Sequence, residues 1–444
     1  MKIVIAGAGS IGYHLAKLLS KENQDITLID QDENVLEQIA SKLDVMTLCG
    51  NASSVNILKS ANVSQADLFI SVTTSESTNL LTAILAKQKG AKKTIARVNN
   101  TEFLKKEQRE YFAKIGIDQI ISPQNLAAQE INRLVKRASL TDIFDFENGK
   151  ISTVGFTIDA SSRLIGKAIS EIDNTGFDYR GVALLRNHTT FIPRGRTILQ
   201  KGDHLYLSIN TKHIDKVMPF LGMQSRVIKK IMIVGDTPLA LQCALLLQKN
   251  YDVKVVMQNE NKARFFLNSL DKTLIIIGDP GNRELLEQEG LAQMDAFIAL
   301  TKNSEINILS NLIAKDAGVY KSIALVNNEV YTHISQNIGV DTIINKKLIA
   351  ANNIFRFVRK GIIEAIATLH GVNAEIIEFE ISNNCKVISK SLFDLNLPDS
   401  CIIAGVIRNK QSIIPGGDFC IKAKDKVIVF ALPEAINQVE SILA

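Results

Sequence analysis

The chain repeats itself, and the repeat limits how it can fold. Gly7 recurs as Gly235, Gly50 as Gly278, Asp67 as Asp295 and Asn79 as Asn307, a constant spacing of 228 residues; "RVNN" at 97–100 returns as "LVNN" at 325–328. Beyond that point the spacing drops to 223, so that "GIDQIISP" (116–123) matches "GVDTIINK" (339–346), as a five-residue deletion in the intervening helical region would produce. A second unit follows each copy. "FTIDASSRLIGKAISEI" (156–172) is answered by "FEISNNCKVISKSLFDL" (379–395), and "VALLRNHTTFIPRG" (182–195) by "AGVIRNKQSIIPGG" (404–417). The order is therefore A–B–A′–B′, with A about 140 residues and B about 75. This period is far longer than that of a solenoid, so each A unit can close its own core. Duplication of a two-domain gene is the simplest origin. The expected segments are 1–140, 141–226, 227–365 and 366–444.

Unit A alternates apolar strand patterns with helical ones. "KIVIA" is a continuous apolar run, as in a strand buried on both faces, and Ile11, Leu15, Leu18 and Leu19 then recur at helical spacing. The alternation continues to "DQIIS" at 118–122, which predicts a parallel sheet with right-handed crossovers, a Rossmann-like α/β domain. Unit B is shorter and reads as a small α+β module, in which "FIPRGRTILQKGDHLYL" resembles a β-hairpin with Arg194 and Arg196 on its turn. Solvated loop charges are the favoured reading of those two arginines.

The turn after the first strand is Gly7-Ala8-Gly9-Ser10-Ile11-Gly12, a complete G-x-G-x-x-G. Gly7 permits the tight turn, Gly9 lets the backbone approach a pyrophosphate, and Gly12 lets helix and strand pack closely. The unpaired N–H groups opening the helix favour phosphate oxygens. Asp30, at the end of the second strand, stands where a carboxylate accepts hydrogen bonds from a ribose diol. The same charge would repel a 2′-phosphate, favouring NAD over NADP. Further candidates lie at strand carboxyl ends, the ligand edge of such a sheet: Asn51 and Ala52 after the third strand, Thr73 and Thr74 after the fourth, and Arg97 in the fifth. A lone arginine in an apolar strand needs an anionic partner; a pyrophosphate and a carboxylate of a neighbouring subunit fit equally.

In A′ these positions have changed together. Thr237 replaces Gly9, Ala240 replaces Gly12, Gln258 stands where Asp30 would fall and Leu325 where Arg97 would fall, while the apolar pattern persists. A′ is expected to keep the fold with its ligand site degraded, although Gly235 and Asp279 survive.

Bulk properties exclude several classes. A net charge of +5 over 444 residues, without clustered Lys and Arg, does not suit a nucleic-acid binder. No run approaches 18 apolar residues, so no helical membrane span is expected, and the N-terminus does not read as a secretory signal. Five scattered cysteines (never C-x-x-C) and six dispersed histidines give no metal-ligand spacing and favour a reducing cytoplasm.

The motifs "KIVIAGAGSIGYHLA", "LCGNASSVNILKSANVSQADLFISVTTSESTNLL", "IARVNN", "RLIGKAISEI" and "FIPRGRTILQKGDHLYL" closely resemble those of the TrkA family, peripheral subunits of Trk potassium-uptake systems. The resemblance covers essentially the whole chain. It implies a tandem of RCK (KTN) nucleotide-binding domains, each with a C-terminal RCK module, in a ring docked on a membrane-embedded TrkH or TrkG subunit at the inner face of the membrane. It implies NAD(H), or ATP and ADP in the same cleft, with Gly7, Ala8, Gly9, Ser10, Ile11, Gly12, Asp30, Thr73, Thr74 and Arg97 as contacts. Asn51 stands where the family often carries Asp. A dehydrogenase would need a substrate domain supplying a proton donor or acceptor, and unit B offers no such cluster, so a regulatory subunit is expected in preference to an NAD-dependent oxidoreductase. Sharing a switching load among identical subunits favours a homotetramer or a dimer of dimers, and 125–140 and 348–363 are candidate crossover helices.

Overall fold

The computed structural model describes the chain except residues 21–23, 147–148, 159, 161, 173–177, 188, 224–225, 328–338, 359–362, 369–373, 384, 386, 410 and 444. It divides into two compact units. The first comprises Met1–Gln129 together with Asn345–Val358; the second comprises Glu130–Ile344 and Arg359–Ala444.

In the first unit, six parallel strands are β1 (Lys2–Ala6), β2 (Asp25–Asp30), β3 (Met46–Cys49), β4 (Leu68–Ser71), β5 (Lys93–Arg97) and β6 (Gln119–Ile121). Their order is β3-β2-β1-β4-β5-β6, which reverses direction between β1 and β4. Ile3, Val4, Ile5 and Ala6 are all buried, as a strand covered on both faces requires. The helix Ser10–Ser20 buries Ile11, Leu15 and Leu19, one stripe at helical spacing. The helix Lys346–Val358 comes from the far half of the sequence but belongs to this unit. It packs against Ser10–Ser20, and Lys93 Nζ lies 5.7 Å from the ring centre of its Phe357. One of the two anticipated crossover helices therefore covers the other half's Rossmann-like sheet; residues 359–362 of that stretch lie outside the described residues.

The second unit holds the second Rossmann-like sheet and both C-terminal modules. Strands β12 (Lys230–Val234), β13 (Asp252–Met257), β14 (Leu274–Ile277), β15 (Ala296–Ala299), β16 (Lys321–Leu325) and β17 (Thr342–Ile344) repeat the same order, β14-β13-β12-β15-β16-β17. The modules are antiparallel five-stranded sheets: β7 (Asp142–Phe146), β8 (Ile151–Thr157), β9 (Tyr179–Arg186), β10 (Thr189–Phe191) and β11 (His204–Asn210), then β18 (Ile363–Thr368), β19 (Glu375–Glu380), β20 (Cys401–Arg408), β21 (Gln411–Ile413) and β22 (Lys426–Ala431). Each is pinned by the same bidentate pair. Arg186 Nε and Nη2 donate to Asp203 at 2.6 Å each, and Arg408 donates to Asp425 at 2.9 and 2.7 Å. The modules share one core, in which Phe146, Val182 and Tyr206 of the first meet Ile376, Ala404 and Phe430 of the second.

The expected hairpin over 191–207 does not form. β10 returns along β9 through a turn at Asn187 (φ 47°), and β11 pairs with the opposite edge of β9. The glycine- and proline-bearing stretch between them is a loop joining the two edges of one strand. Arg194, expected to be a solvated charge, donates to the carbonyl and carboxylate oxygens of Asp399 at 3.0 and 3.3 Å, linking the two modules.

Lys321, at the start of β16, is fully buried. Its ammonium donates to Leu140 O at 2.6 Å and Thr342 Oγ1 at 2.9 Å, and burial pulls its pKa down to about 8 against the opposing pull of Asp341 and Asp142. Its counterpart Lys93 is exposed.

Candidate functional site

The carboxyl ends of β1 to β5 open onto a cleft of about 710 Å³, at the position where the strand order reverses and open α/β sheets place their ligands. Its floor is the glycine turn. Gly7 has φ 107°, which only glycine adopts easily, and a Cβ there would lie 2.8 Å from Thr73 N. A Cβ on Gly12 would sit 1.8 Å from Gly7 O, so helix and turn touch backbone to backbone. Gly9 differs from both. It is exposed, a Cβ there would meet nothing within 4 Å, and the open space belongs to the cleft. Gly7 and Gly12 are required by packing; Gly9 leaves room for something that is not part of this chain.

Asp30 holds the turn and faces the cleft. Its Oδ2 accepts from Ala8 N at 2.6 Å and its Oδ1 from Asp32 N at 3.1 Å. Ala8 is buried and contributes this N–H, and neither Ala8 nor Gly12 lines the cleft. Gly7, Gly9, Ser10 and Ile11 line it, as do Asn51 and Ala52, then Thr73 and Thr74, and Arg97. The structure thus brings ten of the twelve anticipated residues to one surface.

Several of these side chains are already engaged. Asn51 Oδ1 accepts from Ser53 N at 2.9 Å and Ser53 Oγ at 2.7 Å, closing a local turn. Thr73 Oγ1 donates to Asn79 Oδ1 at 2.7 Å, and Asn79 Nδ2 donates to Arg97 O at 3.0 Å. This clamp joins the ends of β4 and β5. Arg97 is less satisfied. Its Nε is buried with no hydrogen-bond partner, no carboxylate pairs with it among the described residues, and burial lowers its pKa. A cation so placed attracts an anion into the cleft.

Sequence reasoning missed two lysines. Lys346 and Lys347, opening the helix Lys346–Val358, line the same cleft. They occupy the repeat positions of Pro123 and Gln124, which also line it. The only signal available was the crossover itself, since residues more than two hundred positions apart share no local pattern.

In the second Rossmann-like domain the turn is capped by a side chain of its own. Thr237 is buried, its Oγ1 donates to Leu300 O at 2.7 Å, and the same oxygen accepts from Ala240 N at 3.2 Å, capping the helix Pro238–Leu247. Asp236, in the place of Ala8, is paired with Lys262 at 2.7 Å. Gly235 is retained because a Cβ there would lie 2.6 Å from the backbone of Leu300. Asp279 Oδ1 accepts from Gly281 N at 2.9 Å, a turn like that of Asn51. Both survivors have structural tasks. The Thr301–Asn307–Leu325 clamp repeats that of Thr73, Asn79 and Arg97.

The sequence matches the TrkA-N domain family over residues 3–123 and 231–346, and the TrkA-C domain family over 153–222 and 376–444. It is 32% identical over 447 residues to the Trk system potassium uptake protein TrkA homolog of Archaeoglobus fulgidus, covering 100% of both chains. Among solved structures, the GsuK channel bound to NAD superposes with a TM-score of 0.62 at 15% identity, covering 100% of this chain and 78% of that one. GsuK bound to ADP superposes with a TM-score of 0.52 at 13% identity, covering 81% and 69%. At those identities the two structures establish a shared fold.

Proposed function

The chain belongs to the TrkA family of Trk potassium-uptake proteins, and from that premise we propose that it is a nucleotide-binding regulatory subunit of potassium uptake. Its N-terminal cleft takes NAD(H), or ATP and ADP, and occupancy controls a membrane-embedded partner of the TrkH or TrkG type. The observation that carries the nucleotide reading is Arg97, a partly buried cation with no carboxylate partner among the described residues, beside a helix N-terminus entered through Gly9, a glycine that leaves the approach open. Asp30 supplies acceptors for a ribose diol next to that phosphate site. The four segments proposed from the repeat are a nucleotide-binding domain (1–140), its module (141–226), a second Rossmann-like domain with a degenerate nucleotide loop (227–365) and its module (366–444).

The named relative is a potassium-uptake protein rather than an enzyme. No helix among the described residues is long and apolar enough to cross a membrane, and in this reading the ion path belongs to the partner. A ligand that controls such a partner must bind one assembly state more tightly than another, and a homotetrameric ring would add the contributions of its subunits.

Calorimetric titration of NADH, NAD, ATP and ADP into the full-length protein tests the reading. One site per chain is expected for at least one of them, with unchanged NADH absorbance. Absence of heat and of competition for all four would overturn it.

A further inference from the structure

The second Rossmann-like sheet treats its two edges differently. One edge strand, β17, is buried along its whole length. The start of the first C-terminal module is bonded there, through Lys321 Nζ to Leu140 O at 2.6 Å and Thr342 Oγ1 to Thr141 O at 3.4 Å. The other edge strand, β14, pairs with β13 on one side, and no strand among the described residues takes its other side. Its sequence is Leu274-Ile275-Ile276-Ile277, with Leu274 and Ile277 each 53% exposed. The helix Glu260–Ser269 packs on this strand and adds Phe265 and Leu267, both more than half exposed, on either side of the buried Phe266.

An uncovered strand edge presents a row of unpaired N–H and C=O groups, and proteins ordinarily block it with charge, proline or a bulge. β14 carries none of these. The first half supplies a control, because its edge strand β3 holds the same place. Aligned on the helix caps Asp32 and Asn259, Gln38 and Ala40 stand where the second half has Phe265 and Leu267, and the residue between them, Ile39 or Phe266, is buried in both. In the strand, Met46 matches Leu274, but Thr47 and Cys49 stand for Ile275 and Ile277. The outward positions are therefore more apolar in the half whose turn is capped internally.

A partner for this surface has to supply a strand edge and apolar side chains together. Four large side chains so exposed offer on the order of 400 Å² of apolar surface. Two such surfaces face to face bury about 800 Å², and the strand backbones beside them bring the total toward the roughly 1,200 Å² at which specific interfaces begin. A second copy of the chain meets both needs. A strand edge is complementary to itself in the antiparallel sense, β14 holds no charge that would repel its copy, and Asp271 and Lys272 just before it cancel.

We propose that β14 is a pairing edge between two copies of the chain. The two β14 strands join antiparallel about a two-fold axis and merge the second Rossmann-like sheets into one, with the helices Glu260–Ser269 packed beside the joint. The pairing goes beyond the nucleotide reading and does not depend on it. It gives the second half a task of its own, holding copies together.

The test is the mass of the full-length protein by sedimentation, wild type against an L274K/I277K variant. Both side chains are exposed in the single chain, so the variant should fold, with a nearly unchanged thermal midpoint. Two unpaired ammonium groups per copy in an apolar joint should raise the dissociation constant at least ~100-fold and halve the mass of the largest species. An M46K/C49K variant, altered at the matching positions of β3, should keep the wild-type mass. A second measurement uses the wild type alone: across the concentrations over which it associates, hydrogen exchange should slow at the β14 amides and stay constant at those of β3. A wild type that is monomeric throughout, a mass unaffected by L274K/I277K, an equal loss in M46K/C49K, or β14 exchange that does not change with association overturns the pairing. Each of these results leaves the nucleotide reading where the titration puts it.

Discussion

The two Rossmann-like halves share strand order, the Thr–Asn clamp between β4 and β5 or β15 and β16, and the first glycine of the turn. They part at the positions that face outward from the turn. In the first half, the space above Gly9 is open and Gly9, just before the helix, has no side chain to cap it. In the second half, Thr237 stands in the place of Gly9 and takes the N–H of Ala240, and the Asp236–Lys262 pair supplies its own charge balance. The second half meets internally the needs that the first half leaves to a ligand. The difference separates two kinds of conserved pattern within one chain. Gly7 and Gly235 are kept by backbone contact, so they say nothing about binding. Gly9, Asp30 and Arg97 have no such counterpart in the second half, so they carry the functional signal.

The strongest challenge to this contrast is Gly9→Leu. Gly9 lies outside the left-handed region and its Cβ direction is empty, so the fold should be preserved, while the side chain would occupy the path of the pyrophosphate. Nucleotide affinity should fall by about 1,000-fold, to or below detection, with the thermal midpoint nearly unchanged. A variant that still binds tightly would show that the open space above the turn is not where the phosphates lie.

The halves also differ at the first residue of their fifth strands, Lys93 and Lys321. Lys93 is exposed, whereas Lys321 is enclosed and its pKa is lowered to about 8. A lysine that loses its proton more easily when folded leaves the unfolded chain with more bound protons between about pH 8 and pH 10.5. Its contribution to stability is therefore complete above the unfolded value and is lost as pH falls through 8. Relative to Lys321→Met, the wild type should gain about 3 kcal/mol across that window, read as a difference in thermal midpoint between the two proteins at each pH. The difference cancels Tyr206, whose raised pKa acts in the opposite sense in both. Lys93→Met should show no such slope.

How much of this was legible in the sequence follows from the range over which each signal acts. The duplication, the alternation of strands and helices and the glycine turn are local patterns. They located the cleft because the glycine turn after β1, Asp30, Asn51, Thr73 and Arg97 all lie at or just beyond the carboxyl ends of strands of one parallel sheet. The loop after β10 was misread because turn residues between two apolar runs look alike whether the runs pair with each other or with opposite edges of a third strand. Lys346 and Lys347 were invisible for a related reason. They reach the cleft by a crossover from the other repeat, and only contacts in space reveal it. The roles of Thr73 and Asn51 were half visible: strand-end placement brought them to the cleft, but their hydrogen bonds within the chain are shared with the second half.

Asp30→Ala gives a smaller effect than Gly9→Leu, since it removes acceptors without filling space. Loss of charge-assisted bonds to a ribose predicts ~10–100-fold weaker binding of NADH and of adenine nucleotides alike. The turn also loses the bond from Ala8 N, so a shift in thermal midpoint should accompany it. If Asp30 served the turn alone, the midpoint would move and the affinities would not, and isothermal titration beside a melting curve distinguishes the two.

The smallest effects belong to the second half, and they test the contrast from its other side. Lys262→Met breaks a partly exposed ion pair, a contact worth about 0–1 kcal/mol in such settings, and Gln258→Ala removes an exposed amide at the place of Asp30. Neither should change nucleotide affinity by more than about twofold, nor the number of sites per chain, because Thr237 still fills the turn. The count of sites is the sharper readout. If the Asp236–Lys262 pair alone excluded ligand, Lys262→Met would expose a second site and the stoichiometry would rise. A stoichiometry unchanged in both variants would place the exclusion in the backbone-level closure by Thr237, which no single surface substitution reverses.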